Sequence, residues 1–378
     1  MKHLAFALAL VLSAAPAYAQ LGGLTKGINK AKETKDKVDK VSDLVIGERE
    51  ERQIGEHISA QLVDRFGVYQ DAAVAKYVSL VGTVLAQASS RPALDWQFIV
   101  LDTDGVNAYA APGGLIHITR GALGLIRSEA ELAGVLGHEI THVTARHTIR
   151  AIQKAKGVEL GAGEVGGSGL TSAGISLLGR VGYDVLFENK FDRDDEMEAD
   201  KVGIQVAGKV GYSPRGMIGF LEKIAARNQE SKEPNGLFAS HPLIKDRLAA
   251  MEKVIRDSKL AATATVEARY TSTITFEAKP AGAIAMDISG VRGAVGDSAA
   301  PAEPAKEEKK EEKTSGRKPL LGGIKLTGSS QAQNTQTVAS AGSRGGVPDR
   351  DAVGGTNRSR VNVTLTPAEI DAFKKGIA

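Results

Sequence analysis

The segment His138-Glu139-Ile140-Thr141-His142 holds two imidazoles four residues apart, with a carboxylate beside the first. On a helix both histidines fall on one face, one turn apart, because the helix turns every 3.6 residues. Two imidazoles so placed can ligate one zinc ion. Glu139, one position on, flanks the metal rather than filling a coordination place. It is suited to act as a base for a water polarised there. The five-residue pattern is a weak signal by itself, and its context strengthens it. Ser128 followed by Glu131 is a capping box, and Leu132, Val135, Leu136, Ile140 and Val143 supply an apolar side.

A hydrolytic zinc centre needs a third protein ligand and an open place for water. The chain has no cysteine, so thiolate ligands and cysteine nucleophiles are excluded. His147 and the acidic run downstream are the candidates. While the helix persists, His147 sits about 180° away from His138. It is then unable to share the metal and is expected to be structural or to support a ligand. The acidic run comprises Asp192, Asp194, Asp195, Glu196, Glu198 and Asp200. Only Glu196 and Asp200, four apart, give a coherent site on one helical face, with Glu198 pointing roughly the other way. One of these two carboxylates can ligate zinc while the other orients a ligating histidine through its free ring N–H.

These residues need elements to hold them. Ile58, Leu62, Val63 and Phe66, then Val74, Tyr77, Val78 and Val81, form helical stripes, with His57 an ordinary helix residue. Trp96, Phe98 and Val100 alternate as in a strand, and Asp104-Gly105 makes a turn. A second extended piece holds Asn107 to Ala111, Pro112-Gly113-Gly114 bends the chain, and Leu115 to Thr119 is a third strand. Within it, His117 alternates away from Ile116 and Ile118. The Gly- and Ser-rich stretch 161–176 reads as a loop. Helical spacing returns over 196–210, 215–229 (opened by Ser213-Pro214) and 242–257. Residues 263–278 alternate Thr, Val, Ile and Phe with polar residues and read as strands.

The ends differ in character. Lys2 and His3, an apolar stretch from Leu4 to Leu12, and Ala17-Tyr18-Ala19 read as a secretory signal peptide cleaved after Ala19. Export to the periplasm is therefore expected. The best later candidate for a bilayer span, Leu170 to Leu186, is interrupted by Arg180 and Asp184; peripheral membrane contact stays open. Residues 299–358 are too polar to offset their ordering entropy and read as a disordered linker. The last piece, to Ile377, has a strand-like start at Val361 and a helix cap at Thr366-Pro367-Ala368-Glu369. With Lys and Arg at 48 against 45 acidic residues, a net charge of +3 on 378 residues argues against a nucleic-acid partner.

Several blocks, in order, resemble the bacterial envelope zinc metallopeptidases of the HtpX and BepA type, relatives of the CAAX prenyl proteases. They are Asn107-Ala108-Tyr109-Ala110 with Pro112-Gly113-Gly114, Gly121 and Leu123, then Glu129 through Glu139. Arg146-His147, Glu196-Met197-Glu198-Ala199-Asp200, and His241-Pro242 with Arg247 follow. The resemblance implies one zinc ion per chain held by His138, His142 and Glu196, with Glu139 as base and Asp200 as supporting carboxylate. It places His241 facing the site, stabilising the intermediate or blocking the metal, accompanied by Arg247, and Asn107 on the strand where substrate pairs. It implies an α+β fold: a mainly helical zincin-like core with a small antiparallel sheet beside the active-site helix. The expected division is a signal peptide (1–19), a charged helical segment (20–49), the metallopeptidase domain (50–260), a strand-like extension (261–298), the linker (299–358) and a short C-terminal segment (359–378). The implied function is endoproteolysis of unfolded or misassembled envelope proteins, with contact to membrane or outer-membrane assembly machinery left open. The alternative is a periplasmic chaperone or assembly factor whose zinc is blocked by a histidine. The membrane-spanning helices of HtpX-type members and the C-terminal helical repeats of BepA-type members are not found in the sequence.

Overall fold

The computed structural model describes residues 45–155, 165–166, 169–188, 191–230, 244–280 and 358–377. The expected signal peptide, most of the expected linker and His241 lie outside the described residues.

Two helices open the domain, α1 (Glu48–Phe66) and α2 (Ala72–Ala88), the second capped by the Asp71 carboxylate. Three short strands follow: β1 (Gln97–Leu101), β2 (Ala108–Ala111) and β3 (Leu115–Thr119), in the order β1-β3-β2. The Pro112-Gly113-Gly114 turn, with Gly113 and Gly114 at φ 75 and 97, folds β3 back antiparallel to β2. The longer β1–β2 connection carries the chain across the sheet, so β1 runs parallel to β3. The small sheet is thus mixed rather than the antiparallel one expected, in a mainly helical α+β core as expected.

Both faces of this sheet are covered, and strand alternation decides which residue goes where. Phe98, Val100, Ala108, Ala110, Ile116 and Ile118 join the larger core with α2. Ile99, Leu101, Tyr109, Ala111 and Leu115 face the other way, onto Ile54, Ile58 and Leu62 of α1. His117 falls on that second face, fully buried, with Nε2 2.8 Å from Ser59 Oγ. Burial, reinforced by the charge of Arg360, pushes its pKa down to about 3.

Next come α3 (Arg120–Leu125), α4 (Glu129–Thr144) and α5 (His147–Lys154). A two-residue hairpin of β4 (Val165–Gly166) and β5 (Gly169–Leu170) leads into α6 (Ser172–Glu188). The stretch 161–176 is thus not wholly a loop: its described part holds the hairpin and the start of α6. No described helix is long and apolar enough to cross a membrane. Instead α6 packs on α1, with Gly179 against His57 and Gly182 against Ile58. The remaining helices among the described residues are α7 (Arg193–Val210), α8 (Gly216–Glu230), α9 (Ile244–Asp257), α10 (Glu267–Thr273) and α11 (Pro367–Lys375).

Residues 263–278 do not form the expected strands; Glu267–Thr273 is helical, and Ala264 makes only an isolated bridge to Tyr212. Tertiary contacts override the alternation. Tyr270 buries its ring and donates to the Leu123 carbonyl at 2.6 Å, while Arg269 grips the Glu129 carboxylate. The Thr271 and Thr273 hydroxyls bond back to the carbonyls of Glu267 and Arg269, which accommodates them in a helix. Near the end of the described residues, Thr366 and Glu369 form a reciprocal capping box for α11. Phe373 of α11 packs edge-on to Tyr77 and lies under the Arg269 guanidinium, 4.1 Å from ring centre to charge.

Candidate metal centre

The centre forms where α4 crosses α7. Glycines set that crossing: a Cβ at Gly203 would lie 2.8 Å from the His138 backbone nitrogen and 2.9 Å from the Gly137 carbonyl carbon. The two backbones touch there, so α7 presents Glu196 and Asp200 to the face of α4 that carries His138 and His142. Ser128 Oγ caps α4 by accepting from Glu131 N, but the Glu131 carboxylate accepts from Arg127 N rather than closing the box on Ser128.

His138 Nε2 and His142 Nε2 lie 3.0 Å apart, and the Glu196 carboxylate is 3.7 Å from the first and 3.4 Å from the second. Tetrahedral zinc with bonds of roughly 2.0–2.1 Å separates its ligand atoms by about 3.4 Å. The three side chains, each at most 2% exposed, therefore fit zinc in donor type and spacing.

Around them lies a second ring of bonds. Asp200 Oδ1 is 2.9 Å from His138 Nδ1, which fixes the proton of that ring on Nδ1 and leaves Nε2 for metal. Arg247, 1% exposed, spans both carboxylates: Nε and Nη2 each reach Asp200 at 2.7 Å, and Nη1 reaches Glu196 at 3.0 Å. Burial alone would raise the Asp200 pKa; the charge and hydrogen bonds of Arg247, with His138, overcome it and hold the group below its ordinary value. Glu139 is 1% exposed and contributes to the field that keeps Arg247 charged against its own burial.

The helix does not persist to His147, contrary to the condition set from sequence. Arg146 takes a left-handed conformation, φ 58, and α5 starts anew. That strained residue is held by Glu51, 3.0 Å from its Nε, and by the Ile46 carbonyl at 2.6 Å. The break swings His147 back until its Nδ1 lies 2.9 Å from His142 Nδ1. Its Nε2 faces Glu198 at 3.2 Å and Asp195 at 3.6 Å, and Arg150 meets Asp195 at 2.7 Å. Burial lowers the His147 pKa, and the opposing pull of these carboxylates does not restore it.

Phe191 completes the surroundings, its ring centre 4.2 Å from that of His142. Sequence reasoning passed it over; an isolated aromatic in the charged stretch before α7 was the available signal. Asn107 is buried at the start of β2, an outer strand that packs against α4, and its Oδ1 accepts from Ala108 N. Thus Glu139, Asp200 and Arg247 come together with His138, His142 and Glu196, while Asn107 stands on the neighbouring strand.

The model of peptidase family M48 matches residues 72–255. The chain is 30% identical over 215 residues to the beta-barrel assembly-enhancing protease of Escherichia coli K12, covering 55% of this chain and 44% of that protein. It is 31% identical over 155 residues to metalloprotease LoiP of the same organism, 38% of this chain and 60% of the relative. It is 26% identical over 187 residues to mitochondrial metalloendopeptidase OMA1 of Schizosaccharomyces pombe, 49% and 54% of the two chains. The chain spans less than half the length of the first of these.

Proposed function

The chain carries a peptidase family M48 domain, and from that premise we propose that it is a zinc-dependent endopeptidase acting on unfolded or misassembled proteins of the bacterial envelope. The observation that carries this reading is the meeting of His138, His142 and Glu196 at ligand spacing beside the buried Glu139. Zinc held there would supply Lewis acidity toward a peptide carbonyl and toward water. Glu139 would take the proton of the attacking water on a carboxylate oxygen and pass it to the leaving nitrogen. Asp200 would hold the Nδ1 proton of His138, and Arg247 would keep Asp200 ionised and pair with Glu196. Substrate backbone would pair with β2 at Asn107, by strand addition to the outer edge.

Several further roles rest on the resemblance and the relatives' names. Export and envelope quality control are proposed from the signal-like start and the likeness to a beta-barrel assembly-enhancing protease. His241 is proposed to face the site, as stabiliser of the intermediate or as a blocking ligand.

Cleavage of an unfolded protein such as casein tests the reading. Glu139→Gln should lower turnover by orders of magnitude with zinc content unchanged. Near-normal turnover would exclude Glu139 as base. A wild-type chain that binds zinc but cleaves nothing would favour a chaperone or assembly factor. His241→Ala then separates the two roles: raised turnover per bound zinc marks blocking, lowered turnover marks stabilisation.

A further inference from the structure

His147 lies outside the three-ligand set, yet its Nδ1 sits 2.9 Å from Nδ1 of His142. Two ring nitrogens at that distance form one hydrogen bond, in which one donates and the other accepts. Chemistry decides the direction. A histidine that gives its Nε2 lone pair to a metal is neutral and carries its proton on Nδ1. His142 Nε2 is the atom that faces His138 Nε2 and Glu196. His142 Nδ1–H must therefore donate, and His147 Nδ1 must accept. His147 then holds its own proton on Nε2, which points at Glu198 Oε2, 3.2 Å away. Every member of the series has its role fixed by the one before it.

Resting on the zinc reading above, we propose that His147 is a positioning residue for the ligand His142, accepting its Nδ1 proton, with Glu198 holding His147 in turn. His138 has the matching arrangement on the other side, where Asp200 accepts its Nδ1 proton at 2.9 Å. The two ligands thus differ in kind: one leans on a charged carboxylate backed by Arg247, the other on a neutral ring. The backbone is built for it. A regular helix would carry His147 to the far side, and the left-handed Arg146, pinned by the fully buried Glu51, returns it. Phe191 lies against the His142 ring, 4.2 Å between centres, so the ring's plane is set from its face as well as its edge.

The test compares an acceptor kept with an acceptor removed. His147→Asn places a carbonyl oxygen near the Nδ1 position; His147→Leu fills similar space with no acceptor. Zinc affinity, by chelator competition on the full chain, should fall about 10- to 100-fold for Leu and much less for Asn, at similar thermal stability of the metal-free forms. The cobalt-substituted visible spectrum should shift for Leu and be restored for Asn. Should the Leu variant not fold, the unaltered zinc-loaded chain with 15N-labelled histidine serves: the His142 Nδ1 proton should couple to nitrogens of both rings. Equal zinc affinity for Leu and the unaltered chain, or no such coupling, overturns the relay alone. Failure of the unaltered chain to bind zinc, or binding undiminished by His142→Ala, overturns the metal reading and the relay with it.

Discussion

Arg247 lays Nε and Nη2 along the two carboxylate oxygens of Asp200, each at 2.7 Å, with both residues at most 2% exposed. The same guanidinium touches Glu196, so one buried cation serves two buried anions. Removing it leaves those anions without compensation, a loss on the order of 3–5 kcal/mol for buried pairs. A bound dication would supply the missing charge. Arg247→Leu should therefore destabilise the metal-free chain far more than the zinc-loaded chain in denaturant unfolding. Equal losses in both forms would show that Arg247 does not share its role with a cation.

Glu196 and Glu198 separate the proposed ligand from its near neighbour. Glu196→Ala, His138→Ala and His142→Ala should each reduce zinc well below one per chain by elemental analysis. Glu198→Ala should keep the stoichiometry and weaken affinity modestly, because it touches His147 rather than the ligand atoms. A reversed result for the two glutamates would reassign the third ligand.

Gly203→Ala probes the crossing of α4 and α7. The added methyl would press on backbone atoms of Gly137 and His138, which no side-chain rotation relieves. Overpacking of this kind costs about 1–3 kcal/mol. Separation of the helices also withdraws Glu196 and Asp200, so melting temperature and zinc affinity should fall together. A variant with unchanged affinity would show that the helices can part without disturbing the site.

His117 gives a pH signature away from the metal. Its folded pKa, about 3, lies below the ordinary 6.5, so the unfolded chain binds the extra proton between those values. Its contribution to stability is complete above pH 6.5 and is lost as pH falls toward 3. Between pH 8 and pH 5 this amounts to roughly 2 kcal/mol. His117→Gln should flatten the pH dependence of unfolding free energy by about that amount, measured against the unaltered chain. Parallel curves would place the His117 pKa near its unfolded value.

The helices, and the side chains that gather at the candidate centre, were legible because their signals are local. His138 and His142 share a turn, Glu196 and Asp200 share another, and apolar stripes mark α1, α2 and α4. What escaped was set by distant partners. Nothing in the sequence near Arg146 announces a left-handed residue; the reason is Glu51, far up the chain. The strand-like alternation around Tyr270 yields to a helix because Leu123 and Glu129 claim its side chains. The parallel β1–β3 pair, likewise, follows from how a connection crosses the sheet, which no residue type encodes.

The clasp of α11 on α2 bears on the order in which the chain can finish folding. Lys76 pairs with Glu369 at a separation of 293 residues, and Gln87 with Lys374 at 287. These are loop closures of the costliest kind in search time, and they come late by synthesis as well as by entropy. Until α11 arrives, Tyr77 lacks the Phe373 ring, and Arg269, already committed to Glu129 at the head of α4, has no aromatic beneath it. The helix bearing His138 and His142 is thus braced at its first turn by an element made long after it, so maturation of the site waits on the arrival of α11.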